Sequence, residues 1–127
     1  MNKERIKQLR DHLAGLSPER IDMRAFVDYI DEKYNYDLDP AVLLTDCNTA
    51  GCIAGWAHAL FAPLDLDFDP DDVAARELDL SDEERQNLFM PSGYNRWNPT
   101  KGEIIQVLDI LLTTGVVNWD AVIGARE

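Results

Sequence analysis

The sequence predicts an all-α fold, a single compact domain of about six helices around a buried, Ala/Gly-rich central helix. Three observations carry this. Apolar residues recur three and four positions apart over most of the chain. Two capping boxes, "SDEE" at 81–84 and "TKGE" at 100–103, mark helix starts. The stretch "CNTAGCIAGWAHAL", 47–60, is apolar nearly all round at the helical period, as a buried helix should be. At 127 residues the chain has the size of one domain, and no linker, repeat or low-complexity run divides it.

The first helix is expected over about residues 2–14, where Ile6, Leu9 and Leu13 form one stripe and Gly15 follows as a stop. A second is expected from "SPE" at 17–19 or from Asp22, with Met23, Phe26, Val27, Ile30 and Tyr34 as its apolar face. The turn-rich "NYDLDP" ends it. The third is expected to be capped by Asn48 or Thr49 and to run to about Phe61, before Pro63. Gly51, Gly55 and Ala59 then form a stripe of small residues, where a neighbouring backbone is expected to approach closely.

A fourth, short helix is expected after Asp69, with Pro70 at its first position and Val73, Ala74 and Leu78 inward. The fifth starts at Ser81 and closes on Leu88, Phe89 and Pro91. The sixth starts at Thr100, carries Ile104, Ile105, Val107, Leu108, Leu111 and Leu112, and stops at Gly115. The tail "VVNWDAVIG" reads as a short extended piece anchored by Trp119, then a helical turn.

The formal charge is −12, and it is concentrated. Residues 36–84 carry thirteen acidic side chains and one basic one, Arg76, while the two flanks are each balanced. An acidic field repels phosphate, so direct nucleic-acid binding is disfavoured and a cationic partner is favoured. The bland alternative is a solvated surface kept for solubility. No apolar run reaches the length of a membrane span, and "MNKERIKQLRDHL" has no apolar core of a secretory signal. A cytoplasmic protein with two free thiols is therefore expected.

Cys47, Cys52 and His58 are the one set of residues with metal-site chemistry, and His12 could add a fourth ligand. The alternative to an interaction protein is thus a zinc-binding structural or regulatory module using Cys47, Cys52 and His58. Structural zinc sites often carry a second cysteine pair, and here there is only one, with His58 well round the helix from Cys52. A redox or Cys–His catalytic role lacks the Cys-x-x-Cys spacing and an orienting third group. His58 is expected to be a hydrogen-bonded core histidine. No cofactor and no enzymatic residue set is expected.

Asp65, Asp67, Asp69 and Asp71 alternate as in a calcium loop, but Pro70 stands where that loop needs glycine and Arg76 where it needs glutamate. The segments 70–78 and 81–89 have a helix-turn-helix look without the basic residues of a DNA reader. Tyr94, Arg96 and Trp97 fall in a loop, a combination enriched at the energetic centres of interfaces. The candidate partner-binding residues are therefore Asp65, Asp67, Asp69, Asp71, Asp72, Asp82, Glu83, Glu84, Tyr94, Arg96 and Trp97.

Cys47, Thr49, Cys52, Gly55, Trp56 and Ala57 resemble the C-G-T-x-x-C-x-x-G-W-A motif of a group of small proteins from bacteriophages and bacterial genomes. Asn48 replaces the motif's glycine. Leu88-Phe89, Val107-Leu108-Asp109, Thr114-Gly115, Val117 and Trp119 also resemble that group. The resemblance implies no activity, but it implies a mobile-element setting. There, small acidic proteins block host defence by occupying basic surfaces, and an anti-CRISPR-type inhibitor is the sharpest form of that expectation.

Overall fold

The computed structural model describes residues 1–23, 27–30, 39, 41–65, 70–89 and 99–123. Among these the chain is mostly helical. Seven α-helices, α1 (Lys3–Ala14), α2 (Val42–Thr45), α3 (Ile53–Phe61), α4 (Pro70–Leu78), α5 (Asp82–Phe89), α6 (Lys101–Thr114) and α7 (Trp119–Ile123), accompany one short antiparallel pair, β1 (Asp28–Tyr29) and β2 (Thr49–Ala50).

Local signals explain most helix ends. Asn2 caps α1 by accepting the Arg5 N–H. Both capping boxes form: Ser81 and Glu84 exchange side-chain and backbone bonds at α5, and Thr100 and Glu103 do so at α6. Gly115 ends α6 with φ +78°, a conformation glycine adopts at little steric cost.

The second expected helix does not form over the described part of its span. Pro18–Arg20 make one 3-10 turn, Ile21 bridges Gly51, and Asp28 and Tyr29 pair with Ala50 and Thr49. Met23 and Val27 are buried, so their apolar character was real, but they are placed by pairing with a segment over twenty residues away. Phe26 and Tyr34 lie outside the described residues.

This pairing also moves the start of α3. Asn48 and Thr49 do not cap it. Cys52 does, its Sγ accepting the Gly55 N–H at 3.4 Å. Gly51 therefore stands outside the helix and takes no part in a helical small-residue stripe. A backbone does approach it closely: its N–H donates to the Arg20 carbonyl, and its carbonyl accepts from Asp22. Every residue of α3 from Ile53 to Ala59 is buried. The helix packs on α4, α2 and α1, while α1 also lies against α6.

Candidate functional site

The acidic middle of the chain is built around the α4–α5 hairpin. Asp79 closes α4 in the left-handed region, φ +54°, a conformation that aspartate tolerates better than most residues. The Leu80 N–H turns back to the Ala75 carbonyl at 2.9 Å, and the Ser81 cap then starts α5 at once. Leu78 and Leu88 anchor the two helices in the core. The hairpin sets the acid-rich first turn of α5 beside the last turn of α4.

Most of these acids are matched within the chain. Arg85 of α5 reaches back to α4 and bridges Asp71, at 2.8 Å, and Asp72. The Asp71 contact, with those carboxylate charges, holds the Arg85 guanidinium above its usual range. Arg76 pairs with Asp65 at 2.7 Å and lies near Glu77. Arg5 of α1 donates to the Glu77 carboxylate at 2.7 Å and to its carbonyl. The ammonium of Met1 meets Asp79 at 3.2 Å. Glu84 is engaged in the α5 capping box.

Asp82 and Glu83 differ. Both are exposed, and neither makes an ion pair with another described residue. Beside Asp82 the hairpin borders a half-open hollow of about 300 Å³, lined by Asp71, Asp82, Arg85, Gln86 and Phe89. Two carboxylates, a guanidinium, an amide and an aromatic ring thus face one space. Of the residues expected to bind a partner, the structure brings Asp71, Asp72, Asp82, Glu83 and Glu84 onto this hairpin. It ties Asp65 to the end of α4 through Arg76. Asp67, Asp69, Tyr94, Arg96 and Trp97 lie outside the described residues. Gln86 and Phe89 were not foreseen as site residues, and no local signal marks them, because the hollow exists only once the hairpin has closed.

The thiols and His58 are not gathered. Cys47 is exposed and Cys52 is buried, both free. Burial pushes the Cys52 thiol up to about 11, which opposes a thiolate in spite of its place at a helix start. His58 is 1% exposed, and its Nε2–H donates to the Asp65 carbonyl at 2.7 Å, the hydrogen-bonded core histidine expected from sequence. Among the described residues no three His, Cys, Asp or Glu side chains come together as a metal site. No described helix is long and apolar enough to cross a membrane.

Comparison with known proteins finds no matching family, no similar curated protein and no similar solved structure.

Proposed function

We propose that this chain is a small, non-enzymatic interaction protein that binds a basic surface of a host protein through the α4–α5 hairpin. In this reading it is one helical domain organised about α3, works in the cytoplasm, and belongs to a mobile element. Blocking a host defence machine, as an anti-CRISPR-type inhibitor does, is its sharpest form. The observation that carries the reading is the division of the acids. Arginines and the terminal ammonium hold Asp65, Asp71, Asp72, Glu77 and Asp79, whereas Asp82 and Glu83 stand exposed at the start of α5. Unmatched surface charges steer a partner of opposite sign and set specificity more than raw affinity. The same field disfavours direct contact with nucleic acid.

The test is a pull-down from bacterial host lysate with the wild-type chain and the D82K/E83K variant. The reading expects a captured protein that is released as salt is raised and lost in the reversed variant. Capture that is indifferent to the reversal and to salt would overturn it.

A further inference from the structure

The α4–α5 hollow is more selective than a general acidic patch, because its lining combines unlike groups. Phe89, 5% exposed, offers a small area of aromatic surface. Asp82 is exposed and pairs with no cation among the described residues, and exposed Gln86 adds an amide that can accept a hydrogen bond. Asp71 is already matched by Arg85, which fixes the opposite wall and leaves it close to neutral. The space, about 300 Å³, suits one extended side chain and not a folded element.

We propose that this hollow receives a single arginine side chain from the basic partner. Its methylene stem lies against Phe89, and its guanidinium is held by the Asp82 carboxylate and the Gln86 amide oxygen. This rests on the interaction reading above and narrows it to one side-chain chemistry. Arginine fits better than lysine for a physical reason. A planar guanidinium presents a rigid fork of N–H donors that can serve a carboxylate and a neighbouring amide oxygen at once, whereas an ammonium is a compact and strongly hydrated point charge. Arg85 shows the same chemistry within the chain, where one guanidinium bridges Asp71 and Asp72.

The experiment titrates the full-length protein at low salt with two peptides of equal length and charge, one bearing arginines and the other lysines at the same positions. The wild type is expected to bind the arginine peptide several-fold more tightly. D82N and Q86A should each remove that preference. E83Q, outside the hollow, should weaken both peptides equally and keep it. Equal affinity for the two peptides, or a preference that survives D82N and Q86A, overturns the arginine site while leaving a diffuse acidic surface standing. Failure of both peptides to bind at low salt overturns the arginine site and the acidic-surface reading together. Unchanged far-UV circular dichroism in each variant shows that the fold is intact.

Discussion

Arg20 and Trp56 clasp each other twice. The Arg20 guanidinium carbon lies 5.0 Å from the centre of the Trp56 ring, and the Trp56 indole N–H donates to the Arg20 carbonyl at 3.0 Å. The same guanidinium donates to the carbonyls of Leu43, Asp46 and Thr49. One side chain thus joins the 3-10 turn, α2, β2 and α3, and its donors satisfy backbone carbonyls at the end of a very short helix.

Replacing Arg20 should therefore cost more than a surface substitution. Arg20→Ala is expected to destabilise the fold by about 2–3 kcal/mol, since bonds from a charged donor are lost together with packing on the indole. Arg20→Lys should recover only part of this, because an ammonium cannot reach three carbonyls in the plane of a fork. Urea denaturation midpoints measure both. A midpoint for Arg20→Ala equal to the wild type would show that the clasp is decorative.

His12 sits on the same indole, with ring centres 5.2 Å apart, and its buried Nε2 has no hydrogen-bond partner among the described residues. Burial, and then the charge of Arg20, push its pKa below the ordinary 6.5. As pH falls through 6.5 the unfolded chain takes up this proton before the folded chain does. The contribution of His12 to stability is therefore complete above pH 6.5 and declines below it, until the folded form also protonates. His12→Phe keeps a ring on Trp56 and removes the titration. Urea midpoints at pH 7.5, 6.5 and 5.5 should fall less steeply in the variant, and parallel curves would refute the assignment.

The thiols should react in two stages. Exposed Cys47 is expected to be labelled at once by a thiol reagent at pH 8, and buried Cys52 only after denaturant is added. Two fast thiols in the native protein would contradict the placement of Cys52 as the cap of α3.

Removing charge from the face of α5 should leave the fold nearly untouched. Asp82 and Glu83 favour the helix through its dipole, so Asp82→Asn and Glu83→Gln are each expected to cost less than about 1 kcal/mol. Thermal melting gives this directly. A large drop in melting temperature would mean that these carboxylates hold the hairpin together, and any loss of binding in the variants would then need another explanation.

Much of the helical order was legible in the sequence because its causes are local. The Ser81–Glu84 and Thr100–Glu103 boxes, Gly115 and the Ile6–Leu9–Leu13 stripe each act within a few residues. The stretch around Met23 and Val27 was misread because its partner is remote: the pairing with Thr49 and Ala50 outweighs a helical pattern of apolar residues. The same pairing draws Gly51 out of α3. The acidic segment was visible as composition, but its division was not. Arg5 finds Glu77, and Met1 finds Asp79, across more than seventy residues. Only the fold tells a matched carboxylate from one left at the surface.

The seating of α1 on α6 has a consequence for how the chain is made. Ile6, Leu9 and Leu13 are wholly buried, and Arg10 is tied to Asp109, ninety-nine positions later. A ribosome delivers α1 well before α6, the helix it packs against most extensively. Until α6 emerges, the side of the α1 stripe that meets it has no cover, the condition in which nascent chains meet chaperones or one another. A chain cut before residue 101 would keep the α6-facing side of α1 bare, and poor solubility is its expected fate.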